Sequence, residues 1–150
     1  MPRLLHPEAL IQYDFTAARD VPVVVNPGWT RYQKLTYSPA VRAGKLLFMS
    51  GQGALDPATE RVVFENDVVA QAEYAYENVL KVVAAAGGGP QHLVKTIEYV
   101  TPAALERYRG VAGVRLKLLR EPWPASTGLV CAALLRPEML IEVDPFAILD

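Results

Sequence analysis

The sequence holds one cysteine, Cys131, and two histidines, His6 and His92, in 150 residues. A lone thiol forms no intrachain disulfide, and these few ligand types show no metal-binding spacing, so neither a disulfide scaffold, a metal site nor a cofactor is expected. Charge of one sign is also missing. Fifteen basic residues stand against sixteen acidic ones, for a net charge of -1 with no basic block in either half. Nucleic acid and anionic membranes are therefore disfavoured as main partners. No apolar run approaches the roughly 18 to 20 residues that span a bilayer. The opening "MPRLLHPEALIQYDF" is interrupted by Pro, His, Glu and Asp before a signal-peptide core would form, so a reducing, cytoplasmic setting is the expectation.

What remains is the composition of an ordinary globular chain, 51% hydrophobic and 21% charged, with the length of a single domain, 1 to 150. Residues 1 to 36 read as an irregular lead-in containing "VPVVV" as a short strand and "NPGW" as a turn. "KLLFMSGQ" reads as a strand ending at Gly51, with "DPAT" as a turn into "ERVVF" as its hairpin partner. From Asn66, taken as the N-cap, apolar residues recur at Val68, Val69, Ala72, Tyr76, Val79, Leu80 and Val83. That is helical spacing, and "GGGP" ends it.

"LVKTIEYV" is rich in β-branched and aromatic residues and reads as a strand. Thr101-Pro102 then opens a second helix with an inner stripe of Leu105, Tyr108, Ala112, Leu116 and Leu119. Two last strands, "TGLVCAALL" and "MLIEVDPFAIL", follow, joined through "RPE". In the second, Pro145 removes a backbone donor, which argues for an edge or a bulge. The order β-β-α-β-α-β-β predicts an α+β layer with both helices on one face of a mixed sheet. The other sheet face is then left either solvated or buried against further subunits, and the apolar composition favours the second.

Few residues carry an obvious chemistry. Ser126 lacks any partner in a recognisable triad context, since His6 lies in the lead-in and His92 at a connector, so it reads as a hydroxyl at a strand start. Cys131 lies in an apolar strand with no cation beside it and reads as a packing residue. The glycines at 87 to 89 follow a helix and act as its stop, without a phosphate-loop pattern. In "MLIEVDPF", Glu142 and Asp144 fall on one strand face about 7 Å apart. Such a pair either does acid/base work or makes a solvated face. Trp29, Tyr32, Tyr37 and Trp123 lie near turns, where they line a pocket, an interface or the core.

Taken together, "YSPAVRAGKLLFMSGQ", "AYENVLKVVAAAGG", "LVKTIEYVT", "WPAST" and "LIEVDPFAI" resemble the Rid family of reactive-intermediate and enamine/imine deaminase proteins, also called YjgF or UK114, over roughly residues 28 to 148. The resemblance implies a chorismate-mutase-like fold and a homotrimer that packs its sheets inward and binds a small molecule in clefts between neighbours. It also implies site residues. Tyr37 and Glu142 match the cleft tyrosine and the glutamate that positions the hydrolytic water. Ser50, Gly51 and Gln52 match the ligand-facing loop. Trp123, Ser126, Thr127 and Gly128 match the segment around the family's P-A-R-[ST] motif, where an arginine clamps the substrate carboxylate. Here the motif is "PAST": Ser126 holds the arginine's place and Gly128 that of a cysteine. One extra residue between Ser126 and Glu142 leaves open which face Cys131 occupies. The implied activity is hydrolysis or deamination of a small imine or enamine with altered specificity. A trimeric, non-catalytic binding protein is the alternative.

Overall fold

The computed structural model describes residues 8, 11 and 15–150; His6 lies outside them. Two amphipathic helices pack on one face of a seven-stranded mixed sheet, an α+β layer as expected. The strands are β1 (Val23–Val25), β2 (Ala40–Ala43), β3 (Leu46–Met49), β4 (Gln52–Gly53), β5 (Leu93–Val100), β6 (Ala125–Val130) and β7 (Ile141–Ile148). They run in the order β1-β2-β3-β7-β5-β6, with β4 pairing β7 beyond the end of β3. Among the strands of the described residues, only β5 and β6 pair in parallel.

Helix α1 (Val68–Ala85) forms as its spacing predicts and buries Val68, Ala72, Ala75, Tyr76, Val79, Val82 and Val83 against the sheet. Each fully buried valine contributes roughly 1.5 kcal/mol or more. Its N-cap is Asp67 rather than Asn66. Asp67 has extended backbone and accepts from the amides of Val69 (3.1 Å) and Ala70 (3.2 Å), whereas Asn66 sits at φ 63. The glycine stop is as read. Gly87 takes φ +86, a conformation costly for other residues, and the Gly88 amide returns to the Val83 carbonyl at 2.9 Å.

Other expectations are corrected. "ERVVF" is no strand: it makes one antiparallel bridge, Leu55 to Val62, and the partners of β3 are β2 and β7. β2 precedes β3 across the tight turn at Gly44, which has φ +59. The second helix is also shorter than predicted. Two 3₁₀ turns, Pro102–Ala104 and Tyr108–Gly110, precede α2 (Val111–Leu118). They reset the helical phase, so Ala104, Val111, Val114 and Leu119 face inward while Leu105, Ala112 and Leu116 are exposed.

The last two strands do not pair with each other. β5 lies between them, which makes β6 an edge and β7 central. β6 starts at Ala125 and ends before Cys131. Pro145 therefore lies in a central strand rather than at an edge, but the register slips by one residue opposite it, between Phe48–Phe146 and Gln52–Val143, as the bulge alternative expects. The Leu149 amide bonds the Lys45 carbonyl, and by the alternation of backbone groups Pro145 points to the same flank. That flank is unpaired there, in the gap between β3, which pairs through Phe146, and β4, which starts opposite Val143.

The sheet face away from the helices is uncovered in the single chain. Leu46, Val94, Leu129 and Ile148 are each more than two-fifths exposed, and Phe48 meets Phe146 edge to face at 6.1 Å. Leu46, Phe48, Val94, Phe146 and Ile148 line an apolar groove of about 280 Å³ there.

Candidate functional site

A cavity of about 430 Å³ opens where β4, the loop before it and the start of β7 meet the turn at Thr30–Lys34. That volume suits a small metabolite. Tyr37, Ser50, Gly51, Gln52 and Glu142 all line it, so five of the expected residues converge. Fold explains each placement. Gln52 and Gly53 pair with Val143 and Glu142, which sets the loop against the carboxylate. The approach is close enough that a Cβ at position 51 would meet Oε1 of Glu142, so a larger residue there would push the carboxylate aside.

The Ser50 hydroxyl donates to the Ser38 carbonyl (2.7 Å) and its amide to Pro39 (2.9 Å), so this side chain holds the loop. Gln52 donates to the Ser50 carbonyl at 2.9 Å. The aromatic wall is a chain of rings. Trp29 stacks on Tyr32 at 6.0 Å, and Tyr32 meets Tyr37 edge to face at 5.7 Å. Burial raises the Tyr32 phenol pKa, partly offset by the charge of Arg31.

Gln71 is a positioning residue that sequence reading missed. It is fully buried on α1. Its amide donates to the Glu138 carbonyl at 2.8 Å and its oxygen accepts from the Leu140 amide at 2.7 Å. These bonds fix the segment carrying Arg136 and Met139, which closes the cavity. Nothing in a helical pattern distinguishes such a glutamine from a solvated one.

Glu142 and Asp144 share the open sheet face, as the alternation predicted, and both are partly buried. Burial, then the charge of Asp144, pushes the Glu142 carboxyl above its ordinary range. Burial raises Asp144 too, with Lys95 opposing. A carboxyl raised on folding favours the folded state most below its unfolded pKa, and that contribution is lost as pH rises through the folded value. Glu142→Gln should therefore melt at a higher temperature than the native chain near pH 7. The gain should vanish below the ordinary carboxylate range; a thermal-denaturation series over pH checks both signs.

The remaining expected residues do not line this cavity. Thr96 Oγ1 donates to Ser126 Oγ at 3.2 Å, so the serine faces the helix side of the edge strand β6. Thr127, beside Ile97, takes the other face. Cys131 lies just past β6, its amide bonded to the Val100 carbonyl at 2.9 Å and its thiol directed to the same oxygen at 3.6 Å. Trp123 is about half exposed in the turn before β6.

Gly128 adjoins a second cluster that the sequence did not disclose. Fully buried Glu98 accepts from Tyr76 and Tyr108, each at 2.5 Å, and from one Arg115 nitrogen at 2.7 Å to both oxygens. The Tyr108 hydroxyl lies 3.0 Å from where a Cβ at 128 would stand. Burial and the Glu98 charge drive the Tyr76 phenol far up. For Arg115, burial opposes the charge, but the Glu98 bond and field outweigh it and the pKa rises.

A mixed α+β sheet with helices on one face, an open apolar face and a carboxylate-bearing cavity at the end of the central strand defines the class of protein. The family model for Endoribonuclease L-PSP matches residues 32–149. The chain belongs to this family, the Rid (YjgF/UK114) family. A RutC family protein of Synechocystis is 30% identical over 113 residues, covering 75% of this chain and 85% of the relative. Protein DfrA of Myxococcus xanthus is 49% identical over 67 residues, covering 43% of this chain and half of DfrA. Among solved structures, RidA from the Antarctic bacterium Psychrobacter is 31% identical with a TM-score of 0.69, covering 77% of this chain and 89% of RidA.

Proposed function

We propose that the chain is a Rid-type hydrolase of a small imine or enamine, acting as a homotrimer with its cleft between subunits. The observation that carries this reading is Glu142, a partly buried carboxylate with a raised pKa in the cavity. There it takes a proton from water as the oxygen attacks the C=N carbon. Glu142 returns that proton to the nitrogen to give the carbinolamine, then carries the hydroxyl proton to the amine as the C–N bond breaks, leaving a carbonyl compound and ammonia. Tyr37 and the loop at Ser50–Gln52 hold the ligand.

Trimer formation is supported by the uncovered apolar sheet face and by β6, an edge strand with all six residues exposed in the single chain. A neighbour's β6 is the element that would bring Thr127 and Gly128 toward the cavity. Specificity departs from that of relatives with an arginine in the PAST segment, because a hydroxyl engaged by Thr96 offers no charged fork. The same observation favours the second reading, a binding protein without turnover. Ribonuclease chemistry fits poorly with a net charge of -1 and no basic block.

The test is initial ammonia release from freshly generated imines with and without a carboxylate, with the oligomer sized by light scattering. Saturable acceleration by a trimer supports the hydrolase. Ligand binding with no acceleration on any imine transfers the protein to the second reading.

A further inference from the structure

We infer that the cavity recognises a flat, conjugated ring, so the ligand class is an aryl-substituted imine, or the aryl ketone its hydrolysis leaves, with no acid group needed for binding. The inference rests on the proposed function and adds the group that the site reads.

Three rings from one segment line the cavity: Trp29, Tyr32 and Tyr37. Local bonds fix the first. The Asn26 side-chain oxygen accepts from the amides of Gly28 at 3.1 Å and Trp29 at 2.8 Å, and its amide donates to the Trp29 carbonyl at 3.2 Å. From Trp29 onward the rings hold one another, at 23° between the planes of Trp29 and Tyr32 and at 90° between those of Tyr32 and Tyr37. Arg31 belongs to the same stack, its guanidinium over the Tyr32 ring at 5.2 Å. Tyr37, at the end of the row, is half exposed and has ring surface left for a ligand. A wall set in advance by its own contacts costs a ligand little ordering.

The remaining apolar lining includes Leu55, Pro57 and Met139. The Met139 methyl occupies the space that a Cβ at position 53 would take, so a side chain there would displace it. A thioether is an adaptable and favourable neighbour for an aromatic ring. Nothing in the PAST segment adds a charged anchor, since the Ser126 hydroxyl is engaged by Thr96. The one acid on the wall is Glu142. A ring against the aromatic wall with a C=N directed to Glu142 uses both features. At about 430 Å³ the cavity has the size of sites that take ring-bearing ligands, more than a three-carbon imine fills.

Calorimetric titration of the full chain with acetophenone, cyclohexyl methyl ketone and pyruvate tests this without requiring turnover. The two ketones match in size and carbonyl and differ in the flat ring. Acetophenone should bind saturably, with a Kd roughly 10-fold below that of the cyclohexyl ketone and below that of pyruvate. Tyr37→Leu should remove most of this ring preference and Tyr37→Phe should keep it, which separates loss of a ring from loss of a hydroxyl. Phe64→Leu, at an exposed ring outside the cavity, should change none of the three. Absence of saturable acetophenone binding, equal Kd values for the two ketones, tighter binding of pyruvate, or a ring preference that survives in both Tyr37→Leu and Trp29→Leu overturns the inference. Ammonia release from small aliphatic imines by a chain with no ring preference would sink the inference and keep the hydrolase. Ring-selective binding without turnover of any imine would do the reverse.

Discussion

Glu142→Gln is expected to lower imine hydrolysis by roughly 10²- to 10⁴-fold, the range in which a positioned general base contributes. Glutamine keeps the volume and the hydrogen-bonding reach, so the loop at Gly51 has no reason to move. What goes is the ability to accept a proton from attacking water. Ligand binding should persist, because Tyr37 and the Ser50–Gln52 loop are untouched. The same substitution removes a carboxyl whose charged form is disfavoured by burial and by Asp144, so the variant should be inactive and more stable at neutral pH. That combination separates a catalytic loss from a folding defect. Unchanged turnover in a folded trimer would remove Glu142 from the mechanism.

Glu98→Ala should destabilise the chain by about 3–5 kcal/mol, the cost of breaking a buried ion pair by removing one partner. Against a total stability of roughly 5–15 kcal/mol, that is enough to leave much of it unfolded at physiological temperature. The reason is the number of groups that depend on one carboxylate. Tyr76 is fully buried and would lose its acceptor, Tyr108 would lose its own, and Arg115 would lose the partner that holds its guanidinium to the sheet. Tyr108→Phe removes one hydrogen bond only and should cost about 1 kcal/mol. Urea denaturation reads both. A loss under 1 kcal/mol for the alanine variant would mean that the cluster contributes little to folding.

Burial periodicity made α1, β5 and β7 legible, because each presents one apolar face to a single layer. Glu142 and Asp144 were assigned to one face for the same reason. Where the backbone changes phase, the pattern misled. The 3₁₀ turns before α2 moved Val111 and Val114 inward in place of Leu105 and Leu116. Strand neighbours were illegible in another way: β6 and β7 are consecutive but separated by β5, since pairing over that distance depends on the whole layer rather than on the turn.

For the site, Tyr37, Ser50, Gly51, Gln52 and Glu142 were readable from family motifs and meet in one cavity. Ser126, Thr127, Gly128, Cys131 and Trp123 belong to the edge strand and its flanks, away from that cavity. Glu98 and Gln71 escaped notice because a buried polar residue with all its partners looks, in sequence, like any other polar residue in a strand or helix. Only the partners, contributed by distant segments, identify them.

The central claim is that the Glu142 carboxylate activates water in this cavity. The most direct test is the pH dependence of kcat/KM for ammonia release, measured for the native chain and for Glu142→Gln. The native profile should fall on the acid side with a midpoint above the ordinary glutamate range, in the direction that burial and Asp144 dictate. That limb should disappear in the variant along with most of the rate. A native rate indifferent to pH across that range, or an acid limb that survives in Glu142→Gln, would contradict the account.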